Sequence, residues 1–254
     1  MSLAALVRAG LLALALAAVG AAGATGALVE VNDLVLRADG GFTPQSLPKR
    51  SYAPIEFHGR VDISAKDGGK PVALRQALID FDRDGRLNVA GLPTCAPETI
   101  ANASTEEARS ACRGALVGTG SVGATVAVEG REVPVRSPLS IFNGPRLGSL
   151  PTAILHARIT VPATETYAIV VPIEKRRGGF RYRARIDLPP LAAGLGALTH
   201  IDVKIGRRYR AGGKPRSYVS ARCSDNILQT NGRFTFEDGT IVDGHVEKYC
   251  HQKQ

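Results

Sequence analysis

Three aspartates at alternate positions, Asp80, Asp82 and Asp84, stand directly before Gly85. Oxygen ligands at that spacing converge on a hard cation, and the glycine permits the sharp turn a calcium loop needs. The bidentate glutamate expected at the twelfth position is replaced by Gly91, and the flanks alternate as strands do, which excludes an EF-hand. Two readings remain. One is a looser calcium site of millimolar affinity on Asp80, Asp82 and Asp84; the other is a hairpin whose Asp84-Gly85 makes the turn while Asp80 and Asp82 face water.

The five histidines, at 58, 156, 200, 245 and 251, form no H-E-x-x-H and no closely spaced pair. His156 and His200 fall on the polar faces of their strands, opposite Leu155 and Ile201, and would meet if those strands paired. A hydrolase site assembled from distant residues would draw on them together with Asp80 and Asp82, with or without a metal; isolated surface histidines are the simpler reading. Gly118-Thr119-Gly120-Ser121-Val122-Gly123 matches G-x-G-x-x-G, but the alternating run Val122 to Val128 follows it where a helix N-terminus should receive a pyrophosphate. A glycine-rich bend between strands fits better, and no motif calls for a cofactor.

Cys95, Cys112, Cys223 and Cys250 are the four cysteines. Ahead of them, residues 1–24 read as a signal peptide: Arg8, an uncharged run from Ala9 to Val19, then small residues ending in Ala22-Gly23-Ala24. An even cysteine count in an exported chain reads as a disulfide framework. Pairing neighbours closes short loops, so Cys95 with Cys112 and Cys223 with Cys250 is the expected connectivity, each bridge adding roughly 3 kcal/mol. No Cys-x-x-Cys is present to suggest zinc. The expected location is therefore secreted or extracytoplasmic in the cell envelope, after cleavage, with no transmembrane span in the mature form.

Charge is unevenly placed. The chain carries a formal +9, and between Lys175 and Arg216 twelve basic residues face only Asp187 and Asp202. Arg181, Arg183 and Arg185 share one strand face at spacings of about 7 Å, and Lys204, Arg207, Arg208 and Arg210 would join them if the strands paired. Such a face attracts an anionic cell-envelope polymer or lipid headgroups through screened, salt-sensitive forces. The alternative is a solvated face in a chain with a general bias to arginine. Aromatic residues make up 5% and Trp is absent, which argues against base stacking and against sequence-specific nucleic acid binding.

The elements that must position these residues are strands. Phe180, Tyr182, Ala184, Ile186 and Leu188 alternate with polar neighbours, as do runs near Ile55, Val122, Leu155, Tyr167 and Thr199. Turns such as Asp67-Gly68-Gly69 and Arg177-Gly178-Gly179 separate them. The expected fold is all-β, mainly an antiparallel sandwich or barrel-like sheet, with one short helix that Ser104 and Glu107 cap and the Cys95–Cys112 bridge staples. Residues 25–54 read as an extended N-terminal arm and first strand, and 55–254 as one β-rich domain with a possible subdivision near 144–150.

Ser46-Leu47-Pro48-Lys49-Arg50, Gly91-Leu92-Pro93-Thr94-Cys95, Ala111-Cys112, Phe142-Asn143-Gly144 and Arg216-Ser217-Tyr218 through Cys223 together resemble a group of uncharacterised secreted actinobacterial β-rich proteins. The resemblance implies export and a shared fold, with no assigned activity. The functional expectation is a non-catalytic exported binding or structural protein.

Overall fold

The structure, a computed structural model, describes residues 26–253. The expected leader lies outside the described residues. Twelve strands make one antiparallel sheet: β1 Ala27–Val31, β2 Leu34–Thr43, β3 Glu56–Ala65, β4 Leu74–Asp82, β5 Leu116–Val128, β6 Arg131–Leu147, β7 Leu150–Ile159, β8 Glu165–Lys175, β9 Phe180–Asp187, β10 Gly196–Ile205, β11 Ile227–Phe236 and β12 Ile241–Tyr249. Their spatial order is β1-β2-β3-β10-β5-β6-β7-β8-β9-β4-β11-β12.

The sheet curls until its ends meet, and β12 lies against β1 and β2 without a hydrogen-bonded ladder. A nearly closed barrel results. Lys248 on β12 pairs with Asp39 on β2 at 2.7 Å across this seam. Two glycine pairs flank it, Gly40 opposite Gly59 and Gly232 opposite Gly244, and the rings of Phe57 and Phe234 fold over the space that side chains at Gly59 and Gly232 would take.

Period-two alternation selects the inner face. On β9 the residues Tyr182, Ala184 and Ile186 point inward and Arg181, Arg183 and Arg185 outward, as the sequence pattern predicts. On β10 a bulge between Leu198 and His200 shifts the phase, so Leu198 takes the inward place expected for Thr199. Both ends are covered. At one, Leu191 and the single helical turn Ala192–Gly194 pack near Val126, Ile159 and Tyr167. At the other, the short strands Ala53–Pro54, Val219–Ala221 and Gly85–Leu87 pair into a roof whose Leu87, Tyr218 and Val219 join the core.

Three expectations about organisation change. Residues 27–43 are not an arm over the body; they supply β1 and β2 of the barrel wall. Residues 144–150 are not a boundary, because they end β6, turn and begin β7 within one sheet. The turn at Asp84-Gly85 does not close a hairpin with β4, since Gly85–Leu87 leaves the barrel to pair with Val219–Ala221.

The helical excursion forms as its cap predicts. α1 Pro97–Ile100 starts with proline, and α2 Thr105–Ala111 carries a full capping box between Ser104 and Glu107. Cys95 is bonded to Cys112, and Cys223 to Cys250. The first bridge and Ile100 press the excursion onto Phe142 and Ile154 on the outer side of β6 and β7. The second joins Phe42, Leu47 and Ala221 beneath the roof. Two disulfides fit an oxidising, extracytoplasmic setting. Among the described residues, no helix is long and apolar enough to cross a membrane.

Candidate functional site

The barrel encloses a cavity of about 370 Å³ whose wall is almost wholly apolar, with Ile79, Leu155, Ile169, Val171, Val203 and Ile205 among its lining residues. A pair of packed sheets fills the space between its inner faces. Here small residues on the two strands flanking β8 leave room instead: Ala153 and Ala157 on β7, and Ala184 on β9. Phe57 and Phe81 meet edge to face inside, and the Phe57 ring occupies the space that a side chain on Gly59 would need.

The aspartates singled out in sequence are consumed by structure, and of the three Asp82 alone borders the cavity. Asp80 is buried and accepts two hydrogen bonds from Arg183, at 2.8 and 2.7 Å. Asp82 is buried as well, and accepts from the backbone N–H groups of Asp84 at 2.7 Å and Gln229 at 3.0 Å. Burial pushes its pKa up despite those bonds. Asp84, with no exposure at all, accepts from Arg222 Nε at 2.7 Å and from the Ser224 N–H at 2.9 Å. Burial pushes its carboxyl up, but these donors outweigh that and hold it below the ordinary range. Neither Asp80 nor Asp82 faces water, because neighbouring strands and the 222–226 segment cover them. Among the described residues no group of acidic, histidine or cysteine side chains is arranged to hold a metal ion.

His156 and His200 do not meet, since β5 and β6 stand between β7 and β10. His156 is not a surface histidine: the excursion buries it completely, with Nε2 3.2 Å from the Ala103 carbonyl and Nδ1 without a partner among the described residues. Burial lowers its pKa and keeps the ring neutral. His200 Nδ1 lies 2.7 Å from Asp62, which also accepts from Arg60 at 2.8 Å. Burial pushes the Asp62 carboxyl up, and the bonds from Arg60 and His200 more than offset it. That group sits on the outer wall, and neither His156, His200 nor Asp62 borders the cavity. Gly118 to Gly123 run within β5 with no helix after them, and a side chain on Gly120 would overlap the Asp202 carbonyl of β10.

The basic residues divide between separate walls. β9 pairs with β8 and β4, β10 with β3 and β5, and four strands separate the two. Arg183 is tied to Asp80, Arg185 to Asp187 at 3.5 Å, and Arg181 donates to the Arg83 carbonyl at 2.8 Å. On the other wall Arg207 donates to the carbonyls of Leu116 and Arg113, at 2.7 and 3.0 Å, while Lys204, Arg208 and Arg210 are exposed.

A cluster that sequence reasoning missed surrounds Tyr52, where Arg86, Arg181 and Arg222 stand over one ring. These residues are remote in the chain, and no spacing rule links them. The glycine pairs at the seam were equally silent, because each glycine reads singly as a turn or a bulge. Comparison with protein-family models, curated proteins and solved structures finds no match for this chain.

Proposed function

We propose that this chain is a non-catalytic exported binding protein that holds an apolar ligand, an alkyl or acyl chain, inside its barrel. The cavity carries this reading. Its volume of about 370 Å³ falls within the roughly 300–1,000 Å³ of small-molecule sites. Apolar side chains lining an empty space lack packing partners, which destabilises the unliganded barrel. An alkyl chain restores the missing contacts without burying a polar group.

The sequence of residues 1–24 and the two disulfides support an exported location. The exposed Lys204, Arg185, Arg208 and Arg210 support contact with an anionic envelope polymer or lipid headgroups, as two separate small surfaces. A hydrolase would need an acid–base group free to exchange a proton beside the cavity; Asp82 borders it, but both its oxygens accept backbone hydrogen bonds, and the His200–Asp62 pair lies on the outer wall.

Titration with N-phenyl-1-naphthylamine tests the reading, and the absence of Trp leaves the protein's own emission weak. Saturable binding of one probe per chain is expected, displaced by dodecanol. Ala184→Phe and Ala157→Phe, which fill the cavity from two walls, should each abolish it while the circular dichroism spectrum stays unchanged. Probe binding that is absent in the parent, or survives both substitutions, refutes the reading.

A further inference from the structure

Tyr52 lies between the short strands Ser46–Pro48 and Ala53–Pro54, and three guanidinium groups surround its ring. The guanidinium carbons of Arg86, Arg181 and Arg222 are 5.4, 5.6 and 5.4 Å from the ring centroid. They come from the roof strand Gly85–Leu87, from β9 and from the segment after Val219–Ala221. Each cation–π contact is individually weak at an exposed site. Three like charges gathered around one ring repel one another, and that repulsion offsets the attraction of each for the ring.

Hydrogen bonding leaves much of that charge unanswered. Arg222 is held by buried Asp84 at 2.7 Å, which fixes one guanidinium in place. Arg181 uses Nε on the Arg83 carbonyl, and its two terminal nitrogens have no partner among the described residues. The Arg86 side chain has no hydrogen-bond or carboxylate partner among the described residues. Arg86 also borders the barrel cavity, next to Gly85, Leu87 and Ser220. Arg86 is thus the member of the cluster that reaches the edge of the apolar interior, while Tyr52, Arg181 and Arg222 stand outside it.

We propose that Arg86, Arg181 and Arg222, gathered around Tyr52, bind the phosphate monoester head of an amphiphile whose alkyl chain occupies the barrel. This rests on the apolar-ligand reading. A phosphate monoester carries between one and two negative charges at neutral pH, matching the two guanidinium groups without carboxylates. Arginine's planar fork suits phosphate oxygens bidentately, and an ion-assisted hydrogen bond is worth more than a neutral one.

Isothermal titration with dodecyl phosphate, dodecanol and inorganic phosphate tests the proposal, on the parent, on Arg86→Gln and on the Arg86→Gln/Arg181→Gln double variant. The parent should bind dodecyl phosphate at least about tenfold more tightly than dodecanol. The double variant should bind both alike, with dodecanol affinity unchanged, and the single variant should fall between. Equal affinities in the parent overturn the head site and leave the interior reading intact. Inorganic phosphate binding as tightly as dodecyl phosphate also overturns it, by assigning the cluster to a free anion. If neither alkyl ligand binds, the interior reading fails and the head assignment falls with it; arginine Nε resonances under inorganic phosphate then show separately whether the cluster takes an anion at all.

Discussion

The rings of Phe57 and Phe81 meet edge to face across the barrel interior, with centroids 5.5 Å apart and planes at 82°. Their strands, β3 and β4, are not neighbours in the sheet, so the contact joins separate walls. It lies toward the roofed end, since Phe57 precedes Gly59 and Val61 on β3 and Phe81 ends the inward series Ala77, Ile79, Phe81 on β4. The contact supports the fold and also limits what the cavity holds.

Phe81→Ala separates these two roles. Losing a large core side chain should destabilise the unliganded protein by about 3–5 kcal/mol. The enlarged cavity should then accept a bulkier apolar ligand, so urea midpoints measured with and without a branched alcohol should differ more in the variant than in the parent. Equal ligand-induced shifts in both proteins contradict this.

The seam offers a second handle. A Cβ built on Gly244 of β12 would lie 3.7 Å from the Ala27 Cβ of β1, within the range that a disulfide spans. Oxidised Ala27→Cys/Gly244→Cys should lock β12 to β1 and slow both uptake and release of an apolar probe by about tenfold or more, with little change in Kd. Stopped-flow fluorescence before and after reduction measures this. Unchanged rates would place the ligand's route elsewhere.

His156 makes stability depend on pH in a predictable direction. Its folded-state pKa lies below the unfolded value of about 6.5, so the unfolded chain binds more protons as the pH falls. The stability that its neutral form provides is complete above about pH 6.5 and is lost below it. His156→Leu should flatten the decline between about pH 7 and 5, seen in urea midpoints, without altering the carboxylate-driven loss at lower pH. An unchanged slope there rejects the assignment.

Asp84 titrates with the opposite charge and in a lower window. Its folded pKa is lowered, so its contribution is present above about pH 4 and is lost as pH falls through the folded value. Asp84→Asn should cost about 1–3 kcal/mol at neutral pH, because it leaves Arg222 without its carboxylate while Arg222 stays partly solvated. Since Asp80, Asp82 and Asp84 already accept protein hydrogen bonds, millimolar calcium should leave the parent Tm unchanged; a rise of several degrees would restore the calcium reading.

How much was legible follows from which forces act locally. Alternation along Phe180–Leu188 is a local consequence of half-burial, so the strands and the outward arginines could be read directly. The Ser104–Glu107 cap and the neighbouring cysteine pairs are local too, and both formed as expected. What lies outside the wall was hidden, because a polar-face residue such as His156 is exposed or buried according to whether a distant excursion settles on it. Asp80 likewise reads as a solvent-facing strand residue until β9 brings Arg183 beside it. The interior was hidden for another reason: an inward row of Ala, Val and Ile has the same pattern whether the opposite wall touches it or stands away. Tyr52 and its three arginines carry no pattern at all, since only the roof's pairing with Val219–Ala221 brings residues 52, 86 and 222 together.

The most direct measurement is a set of isotope-filtered nuclear Overhauser effects between a bound dodecyl chain and the methyl groups of Ile169, Val171, Val203 and Ile205. Cross-peaks to methyls on these separate walls from a single bound chain are expected. Contacts confined to outward-facing residues, or no contacts at saturating ligand, would show that the barrel interior is not where an apolar ligand goes.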